Sequence, residues 1–224
     1  MDESEKIKDN KDAILRGEQV PHGKACLNCG TVVEAYKLHS FRERTFLVVV
    51  SAVAAISRCS VRRIMGELGV WKCPECGKAF TDYPEFALPY KRYVISEVLK
   101  RSRKEYLEDP GATYEKASES NGIATLYEGA EGEDGRCLSP STIWRWLGFL
   151  GGLKETLRRS LQMIREQDPE SDLHRRTFPI PERKYRSQER CRTLQAAWRL
   201  CLTGGAFREY WGISLFHDFA IRYQ

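Results

Sequence analysis

The stretch WKCPECGKAFTDYPEFALPYKRY, residues 71–93, joins a CxxC pair to a proline- and aromatic-rich run with a basic end. Its meaning depends on an earlier pair in ACLNCG, residues 25–30. Together Cys26, Cys29, Cys73 and Cys76 read CxxC, 43 intervening residues, CxxC. Each pair supplies a two-thiolate chelate, and two chelates face to face make the tetrahedral four-sulfur site that zinc accepts. Gly30 and Gly77 follow the second cysteine of each pair and permit the tight turn that a metal knuckle needs. The spacing therefore predicts a small β zinc ribbon with structural Zn2+; an iron–sulfur or redox role for the four cysteines is the alternative, and His39 and Cys59 are competing ligands in the insertion. A closed four-thiolate site has no open position for water, which argues against metal catalysis. Cys59, Cys137, Cys191 and Cys201 lack partners at this spacing and read as buried thiols.

The rest of the chain sets the context. Its 224 residues have a formal net charge of +5, with 42% hydrophobic and 30% charged residues, near globular averages. The charge is unevenly spread: residues 174–199 hold eight Lys or Arg against two Glu, and residues 112–136 hold six acids against two bases. Local cation density is what a phosphate backbone responds to, so a basic stripe for nucleic acid is expected. The opening MDESEKIKDNKDAILRGEQV has no secretory pattern, and the apolar run TFLVVVSAVAAIS, residues 45–57, is too short to span a bilayer. A soluble, cytoplasmic protein without membrane contact is expected, and in that compartment cysteines point to metal rather than disulfides.

Four segments emerge: a polar tail or helix over 1–20, the ribbon over 21–92, a helical region over 93–165 with an acidic loop at 120–137, and a basic linker with a helical, aromatic end over 166–224. The class is α+β. Strands are expected at 31–36, 45–50 and 61–71, where β-branched and aromatic residues concentrate. Pro84 and Pro89 force an extended linker. A helix over 94–107 places Val94, Ile95, Val98, Leu99, Tyr106 and Leu107 inward, with Lys100, Arg101, Arg103 and Lys104 largely outward. A short helix is expected near 113–120. In LSPSTIWRWL, Ser139 is the N-cap and Pro140 the first residue of a helix that runs on, kinked or broken at Gly151 and Gly152. A last helix spans 187–202.

The three helices at 94–107, 113–120 and 139 onward suit a helix-turn-helix unit whose recognition helix presents Ser141, Thr142 and Arg145 to base edges, the alternative being an ordinary N-capped amphipathic helix. CPECGKAF, DYPEFALPYKRY and LSPSTIWRWL, covering roughly residues 24–150, resemble a family of bacterial zinc-ribbon proteins related to the N-terminal parts of insertion-sequence transposases. That resemblance implies DNA binding associated with a mobile element, with Cys26, Cys29, Cys73 and Cys76 as zinc ligands and Ser141, Thr142 and Arg145 as DNA contacts. The chain departs from the family pattern in its apolar inter-knuckle region and in the acidic run YEGAEGEDG before the recognition helix. Lys100, Arg101, Arg103, Lys104, Arg158 and Arg159 are expected to meet phosphate.

No Walker loop, dinucleotide fingerprint, HExxH or GxSxG occurs, and Asp168, Asp172 and Asp218 read as turn, helix-end and surface residues, so an enzyme is not expected. A different class of function is a zinc-ribbon module docking on a transposase, polymerase or replication partner. Its apolar surface would be the aromatic tail with Phe207, Tyr210, Trp211, Phe216 and Phe219. The competing reading of that tail is that it completes the core.

Overall fold

The computed structural model describes residues 2–19, 21–26, 28–51, 59–109, 111–118, 133–173, 175 and 188–216. The chain is mixed helix and sheet. Its strands are β1 (His22–Ala25), β2 (Val32–Ala35), β3 (Lys37–Ser51), β4 (Cys59–Lys72), β5 (Ala79–Thr81) and β6 (Glu133–Cys137). Its helices are α1 (Glu3–Leu15), α2 (Ile95–Leu99), α3 (Tyr114–Ser118), α4 (Pro140–Gly152), α5 (Lys154–Gln167) and α6 (Gln188–Trp211), and α2 continues as a π-helical segment, Lys100–Leu107.

Strands β1 and β2 form a separate two-stranded sheet, while β4 is central to a four-stranded one. The β3–β4 hairpin pairs antiparallel from Lys37 opposite Lys72 to Ser51 opposite Cys59. On the other side of β4, β5 pairs near the Cys73 end and β6 pairs near the Cys59 end. The expected strands are present, and β3 and β4 extend beyond the β-branched runs. Residues 133–137, expected in the acidic loop, instead form β6: Arg62 and Val61 lie opposite Glu133 and Asp134 in the register.

The polar N-terminal segment is a docked helix. Ile7, Asn10, Ala13 and Ile14 of α1 are buried, and the seat is cut into β4 by two glycines. A Cβ at Gly66 would lie 2.6 Å from Ile7 Cγ2, and one at Gly69 would lie 3.2 Å from Ile14 Cδ1. Asn10 Nδ2 donates to the Glu67 carbonyl between them (2.6 Å).

Residues 84–93 run along the outer edge of β3. Leu47 N–H donates to the Arg92 carbonyl (2.8 Å), and the half-buried Arg44 guanidinium donates to the carbonyls of Leu88 and Lys91. The expected extended linker is thus strapped to the sheet by one arginine. Its end seats α4: Tyr93 packs edge-on against Trp146 with centroids 4.9 Å apart, and Lys91 Nζ sits 4.9 Å from the Phe149 ring centroid.

Leu153 separates α4 from α5, so the Gly151–Gly152 interruption marks two helices. Helix α6 packs on α4, α5, the π-helical segment and β1. Phe207, Trp211, Ile213, Leu215 and Phe216 are buried at its end, while Phe219 lies outside the described residues. Phe207, Trp211 and Phe216 of the aromatic tail thus belong to the core, and Tyr210 packs half-buried against it. Asp82, after β5, anchors this end by accepting from Arg208 Nη1 (3.2 Å) and from the Ser214 N–H (2.9 Å).

Candidate metal centre

The two CxxC pairs close turns of the same design. In the first, Gly30 N–H donates to the Cys26 carbonyl (2.7 Å) and Cys26 N–H to the Thr31 carbonyl (2.8 Å). In the second, Gly77 N–H donates to the Cys73 carbonyl and Cys73 N–H to the Lys78 carbonyl, both 3.0 Å. Gly30 and Gly77 have φ of +75° and +70°, which only glycine adopts without strain. The first turn sits between β1 and β2, the second between β4 and β5, and the two turns of these separate sheets lie face to face.

The four Sγ atoms lie within 4.8 Å of one another, with Cys26 and Cys76 4.0 Å apart. Zinc–sulfur bonds of about 2.3 Å place the corners of a tetrahedron roughly 3.8 Å apart, so a small inward movement of the thiolates completes the shell. Cys26 and Cys73 are buried, and Cys29 and Cys76 face solvent. The group is placed to hold a metal ion.

Burial pushes the Cys73 thiol up to about 11. The Lys78 backbone N–H and the Asn28 side chain draw Cys76 down to about 6. Cys29 is lowered by the Thr31 backbone and hydroxyl. Burial raises Tyr36 beside Cys26. Asn28 bridges the knuckles, donating Nδ2 to Cys76 Sγ (3.4 Å) while accepting from Lys78 Nζ (3.1 Å) on Oδ1. The Lys72 side chain lies beside Gly77, with Cε 3.6 Å from where its Cβ would be. These cations oppose the net negative charge of a divalent ion held by four thiolates, and such outer groups orient first-shell ligands. His39 is exposed on β3, at an irregularity in the pairing with β4, and is outside the four-sulfur cluster. Cys59 opens β4 at the far end of the hairpin, on the order of 40 Å of extended strand from Cys73.

The residues expected to meet DNA fall into separate groups. Ser139 caps α4, accepting from the Ser141 N–H (3.3 Å), with Pro140 in the first turn as its sequence requires. Ile143, Trp146 and Leu150 are buried, leaving Ser141 and Arg145 exposed and Thr142 half-buried. Helices α2 with its π continuation, α3 and α4 pack together. However, residues 119–139 intervene between α3 and α4, far more than a tight turn.

Arg101 is a correction. It is fully buried, with Nε 3.2 Å from Glu97 Oε2 and Nη1 donating to the Ala117 carbonyl (3.1 Å). It lies seven residues after Val94 and three after Val98, on the apolar stripe itself, so helical position overrides residue type. The π-helical i→i+5 repeat then puts Arg101 with Tyr106 and Ser102 with Leu107, all four buried. Arg103 is turned inward too, its Cζ 4.2 Å from the Trp198 ring centroid. Lys100 and Lys104 are exposed. Arg158 and Arg159 are also exposed, and both reach Glu155 (2.7 and 3.3 Å). Such surface pairs are weak and exchange readily for phosphate.

Sequence reasoning missed Asn28, Lys78 and Trp144. Trp144 is 63% exposed on α4. Its signal was its place beside Arg145, off the stripe made by Ile143, Trp146, Leu147 and Leu150. Asp168 caps the end of α5 and accepts from Tyr210 Oη (2.7 Å), as a turn residue should. No helix among the described residues is long and apolar enough to cross a membrane. No protein-family model matches the chain, and no curated protein or solved structure is significantly similar to it.

Proposed function

We propose that the chain is a DNA-binding protein whose four cysteines hold one structural zinc ion in a ribbon, and whose α4 is the helix offered to duplex DNA. The observation that carries the reading is the division of α4: Ile143, Trp146 and Leu150 lock one face into the core, while Ser141 and Arg145 stand exposed at its capped N-terminal end. A recognition helix needs this, a rigid seat behind and polar side chains ahead at the end that enters the major groove. The run 71–93 joins the two parts, supplying Cys73 and Cys76 to the metal and Lys91 and Tyr93 to the seat of α4. Lys100, Lys104, Arg158 and Arg159 supply phosphate contacts, which position without reading sequence. Arg101 and Arg103 are excluded from that set.

The reading is of a binding protein without a catalytic step, and its association with a mobile element rests on the motif resemblance. Soluble, cytoplasmic residence belongs to the same reading. Titration of labelled duplex by fluorescence anisotropy tests it. Affinity should fall steeply as salt rises. Arg145→Ala should weaken binding by roughly 5- to 150-fold, the range for losing a base contact of about 1–3 kcal/mol. Undetectable binding at low salt, affinity indifferent to salt, or an unaffected Arg145→Ala variant would overturn it.

A further inference from the structure

A groove of about 590 Å³ lies between α4 and α6, and its lining carries the exposed flank of α4. Trp144 stands on it with 63% of its surface exposed, whereas Trp71, Trp146 and Trp211 are buried and Trp198 lies against Arg103. Lys154 and Arg199 line the same groove, and Arg145 adjoins Trp144. These cations, like Lys104 and Arg165 elsewhere in the helical part, are without a carboxylate partner among the described residues, whereas Arg101, Arg103, Arg158, Arg159 and Arg208 each reach one.

Gly148, Gly151 and Gly152 of α4 line the groove without side chains. A Cβ at Gly148 or Gly152 would meet nothing within 4 Å, so packing inside the chain does not require glycine at either position. Glycine in a helix costs about 1 kcal/mol relative to alanine, and the two together leave α4 open to close approach from outside. An exposed indole, unpaired cations and open space beside the α4 glycines complement a ligand that combines a flat π-face with negative charge. In duplex DNA the base faces are already stacked, so only an unpaired base can lie on Trp144.

We infer that this groove binds an unpaired nucleotide of single-stranded DNA, Trp144 stacking on the base while Lys154 and Arg199 hold the flanking phosphates. The inference rests on the DNA-binding reading and adds a second strand state to it. Quenching of tryptophan emission by a short oligothymidylate tests it, beside anisotropy with a blunt duplex. The oligonucleotide should quench, and Trp144→Ala should weaken its binding by roughly 5- to 150-fold, as for one stacked base worth about 1–3 kcal/mol, with duplex affinity unchanged. Gly148→Leu, whose Cβ would meet nothing within 4 Å, should occupy the groove and lose single-strand binding while keeping or raising Tm. If both variants bind the oligonucleotide like the unaltered protein, the inference is wrong. It is equally wrong if Trp144→Ala weakens duplex and single strand alike, or if its only effect is lost self-association by light scattering. Duplex binding without oligonucleotide binding overturns this inference alone; binding of neither overturns the DNA reading as well.

Discussion

Replacing Arg101 separates a structural arginine from a DNA-contacting one. Its guanidinium is fully buried, and it satisfies both the Glu97 carboxylate, whose side chain is only 16% exposed, and the Ala117 carbonyl. Arg101→Ala removes the donors and leaves those two acceptors unpartnered, together with a cavity where the side chain lay. Breaking a buried pair from one side costs about 3–5 kcal/mol. For a chain of this length each kcal/mol moves Tm by roughly 2–4 °C, so a fall of at least about 6 °C is expected. Arg101→Lys keeps the charge but has no fork to reach both acceptors, so it should recover little of the loss. Thermal unfolding followed by circular dichroism reads the effect, with duplex anisotropy run below the variant's Tm. If Tm held steady while DNA affinity fell, and lysine restored that affinity, Arg101 would be a phosphate contact and its placement in the core would be wrong.

Other consequences are equally concrete. Cobalt(II) added to the reduced protein should bind at one ion per chain with the visible spectrum of a tetrahedral tetrathiolate, and Cys73→Ser should abolish that spectrum; a pale octahedral spectrum would refute the four-sulfur shell. Metal uptake near pH 7 should release protons, because Cys73, pushed up to about 11, must lose its own, whereas Cys76, drawn down to about 6, is already largely thiolate. Affinity should fall further as pH drops through 6 and Cys76 protonates, and calorimetry in buffers of different ionisation heat reads both effects. Gly66→Val puts a side chain where Ile7 Cγ2 already lies 2.6 Å from the Cβ position. It should undock α1 at a cost of about 1–3 kcal/mol, seen as new protease cleavage within residues 3–15; an intact α1 would mean the close approach is not obligatory.

The parts of this molecule that were readable in the sequence are those encoded over short distances. Each CxxC turn carries its own glycine, and α4 carries its own cap in Ser139 and Pro140, so local chemistry announced both. Pairing the two knuckles needed only the knowledge that zinc takes four thiolates. What escaped was set by contacts distant in sequence. Helix α1 looked like a polar tail because its seat is Gly66 and Gly69, more than fifty residues away, and no pattern within 1–20 reveals a groove in β4. The strand at 133–137 is acidic and weakly β-forming, and its partner β4 decides its state. Arg101 was misplaced for another reason. Residue type alone points a cation to solvent, whereas Glu97 one turn earlier supplies a partner able to bury it on the apolar stripe. Trp144 shows the converse: a large apolar residue at a polar helical position, legible by spacing and easily absorbed into an aromatic-rich run.

On the proposed reading, one metal ion held by Cys26, Cys29, Cys73 and Cys76 maintains the frame that presents α4 to DNA. The physical path runs from Cys76 through β5 to Asp82, which holds Arg208 of α6, and α6 packs on α4. Zinc returned stepwise to chelator-stripped protein, with duplex binding followed by anisotropy in the same cell, tests whether the metal holds that frame. Duplex binding should be weak in the stripped protein and reach its full extent at one zinc per chain. Stripped protein that binds duplex as tightly as the reloaded form, or reloaded protein that does not bind, would contradict the account.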